Sequence, residues 1–263
     1  MQISGNTILV TGGGTGIGRA LAEAFHALGN KVIVAGRRRS ALDETTAANP
    51  GMGSAVLDIE NKETIGAFAA KVVAEHPNLN VLINNAGIMR SEHLTSQPVD
   101  LADSEATIVT NLLGPIRLTA ALLPFLRGKR HAAVMNVSSG LAFVPLTVTP
   151  TYCATKAAIH SYTQSLRHQL NGTSVQVLEL IPPYVQTELT GPGQAADPNA
   201  MPLKDFITES MNIIRTSPEA TEICVERVKR LRFAEAGGNY DAFFKTLNDQ
   251  QASAASHQGA ASS

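Results

Sequence analysis

Residues 7–18 read TILVTGGGTGIG, a short apolar run that enters a glycine-rich turn and then a helical pattern. The run favours a strand, and residues 16–28 place apolar side chains at helical spacing. Glycines in such a turn let a ligand approach the backbone, because no Cβ intrudes. The N–H groups and the positive end of the helix dipole attract phosphate. The stretch therefore predicts a phosphate-binding loop, and so many glycines disfavour the alternative of a tight turn without a ligand.

Short apolar runs alternate with longer amphipathic stretches through the first 180 residues. Strands are predicted at 7–11, 31–35, 54–57, 80–83, 132–137 and 174–180. Helices are predicted at 16–28, 40–48, 62–75, 103–126 and 151–169. This alternation predicts an α/β fold, a Rossmann-type doubly wound parallel sheet with helices on both faces, in a single domain at 1–250.

The pattern changes after residue 189. Turn-forming residues at 191–202 and a helix at 203–216 suggest a substrate lid at 188–216, with further helices expected at 218–232 and 239–248. Residues 252–263 lack large apolar side chains, so a disordered tail is expected at 251–263.

Composition excludes several classes of function. The 263 residues are 44% hydrophobic and 16% charged, with a formal net charge of −1, so neither nucleic acid nor an anionic membrane is an expected partner. The two cysteines and seven histidines show no metal-ligand spacing, and no metal is expected.

Membrane insertion and secretion are also disfavoured. Residues 132–155 are uncharged and long enough to span a bilayer, but Asn136, Pro145 and Pro150 interrupt them, so a strand, a loop and a helix start are expected. The N-terminus lacks a basic segment typical of a secretory signal, and a cytoplasmic protein is expected.

Five motifs together resemble the short-chain dehydrogenase/reductase superfamily. They are TGGGTGIG at 11–18, NNAG at 84–87, Asn111 within VTNLLGP, Ser139 within NVSSG, and YCATK at 152–156. The glycine spacing is T-G-x-x-x-G-x-G rather than G-x-G-x-x-G, and Ser139 precedes Tyr152 by 13 residues. The resemblance covers residues 5 to about 190.

The resemblance implies hydride transfer between a nicotinamide cofactor and a carbonyl or alcohol. Tyr152 is the expected general acid/base, Ser139 would hydrogen-bond the reacting oxygen, Lys156 would bind ribose and favour the Tyr152 phenolate, and Asn111 would hold a relay water. Tyr152 and Lys156 are four apart on a helix and share a face. The expected cofactor-binding residues are Gly12, Gly14, Thr15, Gly16, Ile17, Gly18, Arg37, Arg38, Asp58, Ile59, Asn85, Ala86, Gly87, Tyr152, Lys156, Pro182, Val185 and Thr187.

Charge at the end of the second strand favours NADP over NAD, with NAD left open. An acidic residue about 20 positions past the glycines commonly binds the ribose 2′-hydroxyl, but Gly36 stands there, followed by arginines. A guanidinium pairs with a 2′-phosphate, and Arg37 is the first choice for that contact and Arg38 the second.

Two segments depart from the superfamily pattern. Ile181-Pro182-Pro183 replaces the usual Pro-Gly. The ending AEAGGNYDAFFKTLND at 234–249 resembles the DltE-like bacterial oxidoreductases, and no further strand is predicted near the C-terminus. Without that strand a homodimer through the helices at 103–126 and 151–169 is expected before a tetramer.

The function implied is a carbonyl reductase or alcohol dehydrogenase for a moderately hydrophobic small molecule. Leu141, Phe143, Val144 and Leu146 are expected to form an apolar wall. The alternative is a cofactor-sensing regulatory protein with the same fold. A regulatory protein of that kind need not keep Asn111, Ser139, Tyr152 and Lys156. This chain keeps all four.

Overall fold

A computed structural model describes the backbone of residues 1–260 and the side chains of residues 1–251. Seven parallel strands form one sheet in the order β3-β2-β1-β4-β5-β6-β7. They are β1 (Thr7–Thr11), β2 (Lys31–Gly36), β3 (Gly53–Val56), β4 (Leu79–Asn84), β5 (Ala132–Val137), β6 (Val175–Ile181) and β7 (Glu222–Cys224). The doubly wound parallel sheet is confirmed.

Helices cover both faces of the sheet. They are α1 (Gly16–Ala27), α2 (Arg39–Ala48), α3 (Lys62–Glu75), α4 (Ala102–Ile108), α5 (Gly114–Arg127), α6 (Pro150–Gln169), α7 (Pro192–Ala196), α8 (Leu203–Thr216), α9 (Glu226–Arg232) and α10 (Tyr240–Ala260). One apolar core lies under α1 and α8, and a second lies under α3, α5 and α6. The strand order reverses between β1 and β4, so a crevice opens at the carboxyl ends of these strands.

The long central helix differs from the expectation at 103–126. It is interrupted by a π-helical turn, Val109–Leu113, which separates α4 from α5. The combined span Ala102–Arg127 is the one described helix long and apolar enough to cross a membrane. Leu118, Leu122 and Leu126 are completely buried against the sheet, which places this helix in the protein core.

The C-terminal third corrects two expectations. The predicted helix at 218–232 is instead β7 followed by α9, so the prediction that no further strand follows β6 was wrong. The three residues of β7 are too few to show the alternating pattern of a strand, and the apolar residues around them are spaced as in a helix. The helix expected at 239–248 is α10, which continues to Ala260 into the segment 251–263 assigned to a disordered tail. Residues 261–263 of that tail lie outside the described residues.

The expected lid contains two different kinds of structure. Residues 188–202 hold the short α7, turns and one β-bridge residue, Met201, which pairs with Val185. The α8 helix packs on α1, with Phe206 completely buried in the core. The part of the predicted lid with few core contacts is therefore 188–199, because Ala200 and Met201 are buried and Met201 belongs to the core.

Candidate active site

The glycine loop lies at the carboxyl end of β1, in the crevice. Gly12 and Gly16 have φ values of 65° and 54°, a conformation that favours glycine. A Cβ on Gly18 would lie 2.3 Å from both the Gly12 oxygen and Asn85 Nδ2, so only glycine fits. Thr15 precedes α1, and within the described part of the chain its side chain makes no capping hydrogen bond to the start of that helix. The first-turn N–H groups of α1 thus fit a phosphate group.

Two side chains hold this loop against the end of β4. Thr11 Oγ1 accepts hydrogen bonds from the backbone N–H groups of Asn85 and Ala86 at 3.0 and 3.1 Å. Asn85 Nδ2 donates to the Thr11 and Gly12 oxygens at 3.0 and 3.3 Å. The Asn85 side chain therefore positions the glycine loop, and Gly87 continues the chain into the crevice.

The arginines after β2 have two different partners. Arg37 forms an ion pair with Glu60 at 2.7 Å, and Glu60 also accepts from Thr110 Oγ1 at 2.7 Å. Arg38 donates to Thr15 Oγ1 at 3.3 Å, which places its guanidinium beside the glycine loop. A positive group next to the α1 N-terminus gives this end of the crevice the donor set that a phosphate needs.

The residues after β3 flank the same end of the crevice. Asp58 is exposed and accepts from the Glu60 N–H at 3.1 Å. Ile59 is 4% exposed and packs against Gly114, where a Cβ would lie 2.6 Å from Ile59 Cγ1. Asp58 can therefore reach a ligand, whereas the Ile59 side chain shapes the wall behind it.

The expected catalytic residues meet at the carboxyl end of β5. Lys156 Nζ lies 5.6 Å from the centre of the Tyr152 ring and donates to the Val137 oxygen at 2.8 Å. Ser139 Oγ accepts from the Leu141 N–H at 3.1 Å and lies close enough to Tyr152 to lower the pKa of its hydroxyl. All three side chains belong to buried residues, with exposures of 5–8%.

Burial controls the protonation of this group. It raises the pKa of the Tyr152 phenol well above its usual range, and the contact with Ser139 offsets part of that rise. Burial therefore favours the protonated phenol. The expected preference for the phenolate also depends on the positive charge of an oxidised nicotinamide beside Lys156. Burial lowers the pKa of Lys156 to about 8, with a partial offset from the negative charge of Glu179.

Asn111 lies in the π-helical turn. Its Oδ1 accepts from the Ile88 N–H at 2.8 Å and its Nδ2 donates to the Ile88 oxygen at 2.8 Å. It also donates to Thr155 Oγ1 at 3.3 Å, one residue before Lys156. The side chain therefore fastens the segment after β4 to α6.

The segment after β6 closes the other side of the crevice. The Pro182 oxygen accepts from the Gly140 N–H at 2.9 Å, and a Cβ on Gly16 would lie 3.6 Å from Thr187. Gln194, which was not predicted, donates to the Val185 oxygen at 2.8 Å and to Thr187 Oγ1 at 3.1 Å. Gln194 stands alone among Gly, Ala and Pro residues, so no sequence motif indicates that its side chain holds the segment after β6.

The expected apolar wall is only partly available. Val144 is completely buried, and the Phe143 ring packs edge-on against His160 with centres 4.7 Å apart. Val144 therefore does not form the wall predicted for it, whereas Phe143 is only partly buried. Leu141 and Leu146 remain partly exposed.

Two further side chains, also not predicted, hold the loops around the crevice. Glu92 accepts from Thr151 Oγ1 at 2.7 Å and from the Thr151 N–H at 3.0 Å, beside Tyr152. On α10, Asn248 accepts from the Thr147 N–H at 2.7 Å and donates to the Pro145 oxygen at 3.2 Å.

One group of metal-binding side-chain types occurs in the described part of the chain. Donor atoms of His160, Glu179 and Glu222 lie within 4.8 Å of one another. Arg232 donates to both Glu222 oxygens at 2.8 and 2.9 Å, and His160 already bonds Glu179. Because an arginine neutralises Glu222, we assign no metal to this group.

Comparisons with known proteins agree with this geometry. Residues 6–197 match the sequence profile of a family described as short chain dehydrogenase. The chain is 37% identical over 254 residues to the "Uncharacterized oxidoreductase DltE" of Bacillus subtilis (strain 168), which covers 95% of this chain and 100% of that protein. It is 34% identical over 182 residues to the "NADP-dependent 3-hydroxy acid dehydrogenase YdfG" of Shigella flexneri, covering 68% of this chain and 72% of that protein. The crystal structure of a short chain dehydrogenase from Burkholderia cenocepacia J2315 in complex with NADP superposes with a TM-score of 0.77 and 25% identity, covering 94% of this chain and 99% of that one.

Proposed function

Because the chain belongs to the short-chain dehydrogenase/reductase family, we propose that it is an NADP(H)-dependent oxidoreductase acting on a carbonyl or secondary alcohol of a moderately hydrophobic small molecule. The observation that carries this proposal is the convergence of the buried Ser139, Tyr152 and Lys156 at the carboxyl end of β5. The nicotinamide would supply or accept the hydride. The side chains of this protein would supply the proton and hold the reacting oxygen.

The protonation state of Tyr152 suits the reducing direction. A buried phenol with a raised pKa carries the proton that a carbonyl oxygen needs as its carbon is reduced. Ser139 would donate a hydrogen bond to the same oxygen, and Lys156 would stabilise the phenolate that remains after the proton leaves. Lys156 would then pass a proton to the Tyr152 phenolate, and a water held by Asn111 would return a proton from solvent to Lys156.

The charges beside the glycine loop support NADP as the preferred cofactor. Arg38 already bonds Thr15, and the exposed Arg37–Glu60 pair is weak enough for a 2′-phosphate to displace. Both the Shigella relative and the Burkholderia structure are described with NADP. Arg37→Asp is expected to move the preference toward NADH.

We further propose that the protein is a cytoplasmic homodimer. An open groove of about 640 Å³ between α4 and α6 is lined by apolar side chains that include Leu101 and Ile108, which are 51% and 40% exposed. Pairing of two copies there would cover these side chains. Light scattering would give twice the chain mass; a monomer would contradict the dimer, and a tetramer would point to a second interface.

The deciding experiment measures NADPH and NADH oxidation across ketones, aldehydes and quinones. Tyr152→Phe is expected to abolish turnover while cofactor affinity is retained. Tyr162→Phe on the same helix is the matched control and should keep the wild-type rate. If Tyr152→Phe stays active, another residue delivers the proton. Tight cofactor binding without any turnover would favour the sensing protein instead.

A further inference from the structure

A buried carboxyl group lies directly behind the catalytic residues. Glu179 is completely buried on β6, between Leu178 and Leu180, which are also buried. Burying a carboxylate is costly unless hydrogen bonds or opposite charges stabilise it. The proposed reaction places no demand on Glu179, so its partners define what it can do.

Two partners bond the two Glu179 oxygens. Ser138 Oγ donates to Oε1 at 2.5 Å, and His160 Nδ1 is 2.8 Å from Oε2. His160 is itself only 17% exposed and packs against Phe143. Glu179 therefore links β5 and β6 to α6, the helix of Tyr152 and Lys156.

These links converge on the catalytic groups. Ser138 immediately precedes Ser139, and the residue before it, Val137, accepts the hydrogen bond from Lys156 Nζ. His160 lies one helical turn beyond Lys156 on the same face of α6. A shift of the Glu179 carboxyl would thus move both the Ser139 backbone and the acceptor of Lys156.

We propose that Glu179, held by His160, is a positioning residue that fixes the Ser138–Ser139 segment and acts as the buried counter-charge behind Lys156. This inference rests on the proposed function, because it assigns the pair a part in that reaction. Burial lowers the pKa of Lys156, and the charge of Glu179 raises it again. Removing that charge would leave Lys156 neutral at a lower pH.

The other charged groups around the pair have partners of their own. On α6, Arg167 donates to the Val177 and Thr221 oxygens at 2.9 and 3.0 Å. On β7 and α9, Glu222 is bound by Arg232, and burial raises the pKa of the Cys224 thiol to about 12, so that thiol is neutral. Glu179 is thus the negative group that acts on Lys156.

Glu179→Gln tests the charge, because glutamine keeps the size and can still accept from Ser138. The titration of Lys156 is followed by NMR in protein labelled with 13C-lysine, with Lys156→Met assigning the signal. The wild-type midpoint is expected near pH 8, and Glu179→Gln should lower it by on the order of one unit. Glu226→Gln, which removes an exposed carboxylate paired with Lys229, should leave the midpoint in place. Equal midpoints in Glu179→Gln and wild type would overturn the proposal.

Activity provides the second readout. The high-pH limb of kcat/KM for carbonyl reduction should move down with the Lys156 midpoint in Glu179→Gln. Ser138→Ala leaves the Glu179 carboxylate in place but removes its hydrogen bond to the Ser138–Ser139 segment. We therefore expect kcat to fall at least tenfold while the high-pH limb of kcat/KM stays at the wild-type pH. If Glu179→Gln does not fold, His160→Gln, which removes the other partner, is expected to lower kcat at least tenfold; an unchanged kcat there would refute the pair. Wild-type inactivity on every compound would refute the proposed function, while the NMR titration would still decide the inference.

Discussion

The ion pair between Arg37 and Glu60 makes a quantitative prediction about cofactor affinity. The two side chains are 51% and 29% exposed and 2.7 Å apart. An exposed pair of this kind is worth about 0.2–1 kcal/mol, which a 2′-phosphate must overcome before it can use Arg37. Glu60→Gln should remove that competition and lower the Kd of NADP+ by up to about fivefold.

NAD+ has no 2′-phosphate and should bind Glu60→Gln as it binds the wild type. Arg37→Asp should act in the opposite direction and weaken NADP+ binding about 10- to 100-fold, since a charge-assisted hydrogen bond is worth about 1.5–3 kcal/mol. Isothermal titration calorimetry with both cofactors, at one fixed ionic strength, measures these changes.

Glu63→Gln is the matched control. It removes one negative charge from the same segment without touching Arg37, so it separates a local effect from a change in net charge. If Glu60→Gln improves NADP+ and NAD+ equally, or leaves both unchanged, Arg37 does not bind the 2′-phosphate and Arg38 becomes the remaining candidate.

Three other changes have defined outcomes. Gly18→Ala places a Cβ 2.3 Å from backbone and side-chain atoms and should weaken cofactor binding more than tenfold, read by NADPH fluorescence. Gly66→Ala in α3 meets nothing within 4 Å and should raise the free energy of unfolding by about 0.5–1 kcal/mol in urea; a loss would contradict the space seen there. Asn248→Ala frees the 145–147 loop from α10 and should raise the KM of the carbonyl substrate a few-fold while the Kd of NADPH stays constant. A change confined to the Kd would place α10 at the cofactor instead.

The sequence predicted the first six strands and the glycine loop because their signals are local. Apolar runs such as 7–11 need only their own residues to identify them. The motif residues followed from the resemblance to the short-chain dehydrogenase/reductase superfamily, and the structure brings Ser139, Tyr152 and Lys156 together.

Features that depend on distant partners escaped prediction. Glu179 reads as an ordinary polar position in VQVLELI, and its partners Ser138 and His160 are 41 and 19 residues away. The pKa of Tyr152 depends on burial, which spacing does not measure. A π-helical turn escaped for a different reason: one extra residue barely alters an apolar periodicity over 24 residues.

That turn at Val109–Leu113 bears on how the chain tolerates changes in length. A π-helical turn is equivalent to one residue inserted into an α-helix, and each residue of an α-helix turns about 100°. Deleting a single residue there would restore a regular helix but rotate α4 by about 100° against α5. Leu101 and Ile108 would move out of the groove between α4 and α6, and Asn111 would lose its hydrogen bonds to Ile88. A one-residue deletion at this point would therefore be tolerated only if other substitutions rebuilt the surface of α4 and the hydrogen bonds that hold the segment after β4.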